Sequence, residues 1–375
     1  MQKQRSDRSS GASSLHASVC WGRGVFCTDL LKIRTTYTGP IKTMTQFIDL
    51  FSGAGGLSLG LEDAGLSCAA AVEMNRDACE TFARRHERTE LHDSPIQSIS
   101  FSKYKGIPLL AGGPPCQPFS AGGKGLASGD SRDMIPEFVR AVKEARPAVF
   151  LMENVPGLAG PSHRAYLAEA LGKLKKLGYS VTAEIVNAAE YGVPQKRKRL
   201  IVVGVRAGLP AFSFPKPTHG PRAGRAFVSA GSALAKVKEG LSVNESRVVF
   251  AKTPDLRPNP YDGHLFNGGG RAIDLAVPSH TILASAGGNK THFLDLNNEV
   301  PAYHQHLVRG GKPRIGNLPG GRRLSVEESA ALQTFPKSMS FSGSRSAQYA
   351  QIGNAVPPKL AKAIGNALMH SLSAV

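Results

Sequence analysis

The sequence predicts an α/β protein: a Rossmann-like domain built on a mostly parallel sheet, followed by a second, smaller and irregular domain. Three observations carry this. From Phe47 onward short apolar runs alternate with amphipathic segments, the pattern of strand–helix units. A glycine-rich loop, FSGAGG at 51–56, lies between the first strand signal and the first helix signal, where small residues let backbone amides approach a ligand at a positive helix end. After about Leu209 the texture turns to Pro, Gly and short runs such as FSFPKPTHGPRAG, which marks a domain boundary.

The elements follow in order. Phe47 to Phe51 reads as a strand, and Leu57, Leu61 and Ala64 then fall on one helix face. A second strand ends at Glu73, and Asn75 is placed to cap a helix containing Ala78, Cys79 and Phe82. Pro108 to Ala111 is a short strand leading into GGPPCQPFS at 112–120. Ala148 to Met152 is another, delivering Glu153 and Asn154 at its carboxyl end. Leu167, Leu171 and Leu174 mark a helix, and Tyr179–Val186 with Leu200–Val205 form a late strand pair around Gln195–Arg199. A helix signal returns at Val326, Ala330, Leu332 and Phe335. Pro357 and Pro358 open a last helix carrying Leu360, Ile364 and Leu368.

Residues 1–43 are Ser- and Arg-rich without sustained periodicity, and they read as a basic, disordered extension or as the product of a misplaced start codon ahead of Met44. Residues 44–208 then form the first domain, 209–321 the second, and 322–375 a C-terminal segment. The chain lacks a secretory h-region and any apolar run of membrane-spanning length, so a cytoplasmic, nucleoid-associated protein with no membrane partner is expected. Five cysteines without metal-type pairing give no disulfide framework and no metal site.

Lys and Arg total 46 against 28 acids, a formal charge of +18. Such a surplus releases condensed counterions on binding a polyanion and points to nucleic acid, although a merely basic surface carries comparable weight on charge alone. Location shifts the balance: Leu209 to Arg322 holds 14 Lys/Arg against 7 Asp/Glu and six of the eleven histidines.

Cys116 sits between prolines at a strand end, the rim where open α/β sheets place ligands, and is a candidate nucleophile. A lone Pro-Pro-Cys is equally a rigid turn around a small buried hydrophobe. Glu73, after the second strand, has the chemistry to accept hydrogen bonds from ribose hydroxyls. The basic run Gln195–Arg199 reads either as a surface turn or as an extended chain placing 195, 197 and 199 on one face.

Six strings, in this order, resemble the motif set of the DNA (cytosine-5) methyltransferases of the bacterial restriction-modification type: FIDLFSGAGGLSLG (47–60), GGPPCQPFS (112–120), MENVPG (152–157), QKRKRLIVVG (195–204), RRLSVEESAALQTFP (322–336) and QIGNAVPP (351–358). The resemblance runs from about Phe47 to the C-terminus and loosens between about Leu209 and Gly321; it implies that 44–208 is the catalytic methyltransferase domain, 209–321 the DNA target-recognition domain, and 322–375 a segment returning to the catalytic domain. It implies S-adenosylmethionine as methyl donor with no metal, held by Phe51 against adenine, by Ser52, Gly53, Gly55 and Gly56 in the loop, by Glu73 at the ribose, and by Met74, Asp93, Pro115, Asn354 and Val356. Asp93 departs from the family's Asp-Ile by interposing Ser94-Pro95, and Met74 stands where an aromatic is common.

The resemblance also implies the chemistry. Carbon 5 of cytosine attacks a methylsulfonium poorly until a thiolate adds to carbon 6, the role it gives Cys116. Glu153 would act at N3, Arg199 at the cytosine O2 and Arg197 beside it in the catalytic pocket. None of these groups reaches a stacked base, so the target cytosine must be flipped. Ser120 and Lys124 then belong to a loop over the extruded nucleotide, and Arg132 and Gln195 are further DNA contacts. The partner is double-stranded DNA. A monomeric enzyme is expected, genetically paired with a restriction endonuclease that is not a required physical partner. The rivals are an RNA cytosine-5 methyltransferase and a noncatalytic DNA-binding protein retaining the fold.

Because residues 1–43 carry none of these motifs, a chain starting at Met44 is expected to match the full chain in melting temperature and in methyl transfer to DNA. A large loss of either at moderate salt would show that the basic arm contributes.

Overall fold

A computed structural model describes residues 44–115, 133–237 and 242–375. Its centre is a seven-stranded sheet in the order β3-β2-β1-β4-β5-β7-β6. The strands are β1 Gln46–Leu50, β2 Ser67–Glu73, β3 Glu90–Asp93, β4 Leu109–Gly112, β5 Val149–Asn154, β6 Tyr179–Asn187 and β7 Lys198–Arg206. The pairings β1–β2, β1–β4, β2–β3 and β4–β5 are parallel, while β7 lies antiparallel between β5 and β6. Every residue of β5 is buried, as its continuous apolar run requires of a strand covered on both faces.

Helices cover the two faces. On one, α1 (Gly56–Asp63) and α9 (Pro358–Leu372) enclose a core containing Phe47, Leu57, Leu61, Leu360, Ile364 and Leu368. On the other, α3 (Ile135–Ala145) and α4 (Arg164–Lys176) pack Phe138, Val142, Leu167 and Leu174 over Ile48, Leu110 and Phe150. The Phe150 ring meets Phe138 and Tyr179 edge-on at 6.0 and 5.2 Å. Gly204, opposite Phe150 on β7, leaves room for that ring, since a Cβ there would lie 1.9 Å from it.

Asn75 caps α2 (Arg76–Arg85) through Ala78 N–H at 3.0 Å, as its position before the helix predicts. The sequence reading names neither the short polar strand β3 nor helix α3, although Ile135, Phe138, Val142 and Ala145 lie on one buried face of that helix. It likewise names no element in the 209–321 segment, which is less irregular than its composition suggests. Two small antiparallel sheets pair β8 (Phe250–Asp255) with β9 (His264–Phe266) and β10 (Phe293–Asp295) with β11 (Gly321–Arg323). Helix α6 (Glu299–Val308) completes a separate small core of Val248, Phe250, Phe266, Phe293, Tyr303 and Leu318. Phe212 and Phe214, upstream of it, still pack on the core of the large sheet. Ala230 and Leu234 of α5 (Ala230–Leu234), with Ile273 and Ile282, join Ala54, Leu59 and residues of α7 (Val326–Leu332) and α8 (Arg345–Asn354) in a third cluster that links the two regions.

Helices α1 and α9 touch through glycine. At Gly60 a Cβ would lie 2.3 Å from both the Ala361 Cβ and the Pro358 carbonyl oxygen. Backbone cannot yield as a flexible side chain does, so Gly60→Ala is expected to force the helices apart at the cost of an overpacked core, typically about 1–3 kcal/mol. A thermal melt that matches wild type would show that the contact relaxes without cost.

Candidate active site

In the strand order the chain runs outward from β1 to β3 and returns to β4 on the other side of β1. Loops leaving β1 and β4 at their carboxyl ends therefore diverge and open a crevice, the usual ligand position in such sheets. At the floor of the crevice the strands almost touch. A Cβ on Gly112 would lie 2.6 Å from the Leu50 carbonyl oxygen, and the Gly113 N–H donates to that same oxygen at 3.3 Å.

The glycine loop fills one side. Phe51 turns the chain off β1 at a φ of 59°, a left-handed conformation uncommon for a bulky residue, and its half-buried ring packs on the core beneath. Ser52 N–H donates to Val72 O at 3.1 Å and Gly53 N–H to Glu73 Oε2 at 2.9 Å. Gly55, at φ 82°, precedes α1, and a Cβ on Gly56 would lie 2.4 Å from the Val356 carbonyl oxygen. Val356 thus walls the loop from the C-terminal segment, with Asn354 exposed two residues before it.

The loop has a polar group to spare. The Ser52 hydroxyl is buried without a hydrogen-bond partner, and no atom lies within 4 Å of where a Gly53 Cβ would sit. Glu73, at the end of β2, is oriented by three amides: Gly53 N–H on Oε2, and Met74 and Asn75 N–H on Oε1 at 2.9 and 2.8 Å. A carboxylate has about four lone-pair sites, so a ribose hydroxyl still finds an acceptor. Met74 is 70% exposed beside it. Asp93 pairs with Glu73 in the strand register and is exposed. The Cys79 thiol donates to Asp93 Oδ1 at 3.4 Å; burial, with Asp93 close by, pushes that thiol up to about 12, so it stays a protonated donor. An orphaned hydroxyl, an open glycine and two adjacent carboxylates fit a nucleoside bearing a charged side chain, such as S-adenosylmethionine.

Across the crevice, β5 delivers Glu153, 8% exposed, next to Gly113, whose Cβ would stand 3.3 Å from Glu153 Oε2. Arg199 of β7 sets its Nε 2.8 Å from Glu153 Oε1, an ion pair without aligned hydrogen-bond geometry. Asn154, noted in the sequence only as a neighbour of Glu153, has a positioning role: its Nδ2 donates to Pro114 O at 3.1 Å and its Oδ1 accepts Val155 N–H at 2.8 Å. Pro115 is exposed, and its carbonyl accepts Met134 N–H at 3.2 Å. Cys116, Ser120, Lys124 and Arg132 lie outside the described residues.

Two expected contacts are corrected. Gln195, assigned to DNA, is fully buried: its Nε2 donates to Leu332 O and Gln333 Oε1, and its Oε1 accepts Ile282 N–H at 3.0 Å. Arg197, assigned to the catalytic pocket, is buried as well and donates to the carbonyls of Ile282, Gly353 and Ala355. The alternation that grouped 195, 197 and 199 holds, with Lys196 and Lys198 exposed between them, but it turns the first two into the protein interior ahead of β7, which begins at Lys198. Ahead of it the chain makes a tight turn, with Arg197 N–H on Gln195 O at 3.0 Å. Gln333, which the sequence reading used only as part of a motif, is the third member of this network.

Burial depresses His264, His280 and His292 in the 209–322 segment, the last to about 4, and two of them hold backbone: His280 Nε2 faces Tyr261 O at 2.9 Å, His292 Nδ1 accepts Arg271 N–H, and His292 Nε2 faces Thr281 O at 3.1 Å. Arg323 is buried with them, on the carbonyls of Thr291 and Asn267. Exposed cations include Arg222 and Arg257, at 84% and 60% exposure, each beside one carboxylate: Glu190 at 3.7 Å and Asp255 at 3.2 Å. Among the described residues no group of His, Cys, Asp and Glu side chains could hold a metal, and no helix is long and apolar enough to cross a membrane.

Comparison with known proteins identifies this arrangement. The model of the C-5 cytosine-specific DNA methylases matches residues 45–370. The type II methyltransferase M.PspPI of Psychrobacter sp. is 35% identical over 339 residues, which cover 88% of this chain and 80% of that one. M1.HphI of Haemophilus parahaemolyticus is 31% identical over 335 residues, 86% of each chain. A DNA modification methyltransferase encoded within an E. coli prophage has the same fold at a TM-score of 0.62 and 22% identity, covering 88% of this chain and 99% of that one. The S. pombe Dnmt2 methyltransferase follows at 0.64 and 16%, covering 87% and 98%. At such identities these two structures speak for the fold alone.

Beneath the glycine loop lies a titratable group that none of these contacts uses. Asp49 on β1 is buried, accepts the Ser58 hydroxyl at 2.6 Å through Oδ2 and leaves Oδ1 unpaired. Burial pushes its carboxyl up to about 7 from an ordinary 3.8, against the pull of Ser58 and with a smaller push from Glu73. The folded state therefore binds the proton more tightly than the unfolded chain does. Between those two values the stability it contributes at low pH is lost as pH rises. Wild type is expected to gain stability relative to Asp49→Asn as pH falls from 7 to 5, measured by paired denaturant titrations; parallel curves would show that Asp49 ionises normally.

Proposed function

Because the chain belongs to the C-5 cytosine-specific DNA methylases, we propose how its residues carry out that reaction. It is a DNA (cytosine-5) methyltransferase, and the family's methyl donor is S-adenosylmethionine. The observation that supports the site reading is the meeting of Glu153 and Arg199 at 2.8 Å on the rim that also bears the glycine loop and the strand running into Gly112–Pro115. Bound in the crevice, S-adenosylmethionine supplies an electrophilic methyl group. Glu73 orients its ribose, Asp93 faces the adenine amino group, Phe51 and Met74 cover the base, and Asn354 with Val356 closes the pocket from the C-terminal side.

Cys116 is the nucleophile in this reading. Its thiolate forms a bond to carbon 6 of the flipped cytosine, and the ring electrons move toward N3 and carbon 5. Glu153 stabilises that charge with a hydrogen bond at N3. Arg199 serves twice, holding the Glu153 carboxyl in place and drawing density through O2. Carbon 5 then takes the methyl, and loss of its proton expels the thiol. The exposed cations of the 209–321 segment, Arg222 and Arg257 among them, meet the DNA; bidentate groove contacts set the target sequence and phosphate contacts set affinity. The enzyme acts as a monomer and protects host DNA alongside a restriction endonuclease.

An RNA substrate is not favoured, because the relatives at 31–35% identity are type II DNA methyltransferases. Label transfer should go to duplex DNA and not to tRNA. Bisulfite sequencing of DNA from a host expressing the chain should reveal one methylated target. Cys116→Ala is expected to abolish transfer while leaving DNA binding intact, and 5-fluorocytosine in the target should trap an adduct on Cys116. Glu153→Gln should slow transfer by about 10²–10⁴, the usual contribution of a positioned acid–base group. An adduct on Cys68 or Cys79, or a fully active Cys116→Ala, would overturn the assignment.

A further inference from the structure

Arg197 is 1% exposed, and among the described residues no carboxylate pairs with it. Burial, with the like-signed Arg199 close by, holds the Arg197 guanidinium well below its ordinary range against the weaker pull of Glu153. Isolated buried charge is expensive, and an apolar side chain of similar volume would commonly serve packing better. The cost is met only by carbonyls. Nη1 donates to Ile282 O at 3.1 Å, Nη2 donates to Gly353 O and Ala355 O at 2.8 and 3.0 Å, and Nε has no acceptor.

Two glutamines double these links. Ile282 is gripped at both ends of its peptide unit, its N–H by Gln195 Oε1 and its C=O by Arg197. The Ala355 carbonyl is likewise shared, since Gln333 Nε2 reaches it at 3.3 Å as well as Ile352 O at 2.7 Å. Gln195 Nε2 joins the pair by donating to Gln333 Oε1 at 3.0 Å. The network therefore binds three stretches far apart in sequence: the entry to β7, which carries Arg199; the segment around Ile282, between β9 and β10; and residues 352–355, whose next residue, Val356, walls the glycine loop.

Moving any one stretch would leave a buried guanidinium or amide without its partner, and the full desolvation penalty of that group would fall due. The three stretches are thus constrained to move together. We propose that Arg197, with Gln195 and Gln333, is a positioning group that couples the cofactor wall at 354–356 to the recognition segment at Ile282 and to the Glu153–Arg199 pair, so that filling the cofactor pocket tightens the grip on target DNA. The proposal rests on the assignment of those two pockets given above.

The test uses the full chain and a duplex carrying the target that bisulfite sequencing identifies. A wild type that methylates no DNA cytosine would overturn the functional reading itself and this proposal with it. DNA affinity is then measured with and without S-adenosylhomocysteine, which fills the pocket without turnover. Wild type is expected to bind DNA at least about fivefold more tightly with it, the lower end of ordinary coupling between sites. In Arg197→Met and Gln333→Leu that ratio should fall to about one, with KM rising for both DNA and S-adenosylmethionine. Arg197→Lys, which keeps the charge but loses the fork, should fall between. A merely structural role predicts something else: a lower melting temperature and kcat with both KM values and the ratio unchanged. That outcome, or a wild-type ratio of one, would overturn the proposal. If Arg197→Met does not fold, Arg197→Lys and Gln333→Leu decide it by the same ratio.

Discussion

The close approach of β4 to β1 governs the rest of the molecule. With only glycine at 112, the Leu50 carbonyl oxygen lies 2.6 Å from where a side chain would begin. Because the chain has run out through β2 and β3 before returning to β4, the loops on either side of this contact point in opposite directions and carry unrelated residue sets. The strands β1 to β3 lead to Phe51, Glu73 and Asp93, the set proposed to hold the nucleoside. Strands β4 and β5, with antiparallel β7, bring Gly113, Glu153 and Arg199 to the same rim, an acid–base set. Parallel pairing from β3 to β5 puts both sets at one edge, so a donor and an acceptor bound there lie side by side.

The energetics of that rim are organised around charge that is not neutralised in the ordinary way. Glu153 and Arg199 share one nearly dry site, where an ion pair gains most from its surroundings but must repay its own desolvation. Arg197 and Arg323 are buried without any such partner and rely on carbonyl oxygens. In the second region His280 and His292 follow the same logic with the opposite result: burial depresses both, and the rings serve as hydrogen-bond struts to backbone. Part of the basic composition is therefore spent inside, and a smaller part than the formal charge suggests is left to meet a polyanion.

How much of this was legible in the sequence depends on whether a residue's role is local. Asn75 as a helix cap, Glu73 at a strand end and the late strand pair could be read because each is determined by neighbours within a few positions. Gln195 and Arg197 could not. Their common face follows from the alternation with exposed Lys196 and Lys198, but what that face meets depends on Ile282, Gln333 and Gly353, up to 156 positions away. Strand β3 escaped notice because four polar-flanked residues at a sheet edge carry little hydrophobic pattern. The small sheets after Leu209 were hidden for a related reason: three of their four strands, β9, β10 and β11, have three residues and are too short to show a period.

The recognition segment enters the chain between β7 and the helices that complete the cofactor pocket, and this placement has a thermodynamic logic. The large sheet and α1 fold against α9, so the two ends of the insertion are fixed by a core that does not depend on it. Closing a longer loop between fixed ends costs little, roughly 0.6 kcal/mol for each doubling of its length. The insertion can therefore change in length and composition without unseating the pocket, provided a few points still tie it down. Those ties are Ile282 on Arg197 and Gln195, and Ile273 and Ile282 in the cluster that reaches Ala54 and Leu59. Motif resemblance loosens just where the fold needs no particular sequence, and it is restored at RRLSVEESAALQTFP, where the chain must again meet the glycine loop.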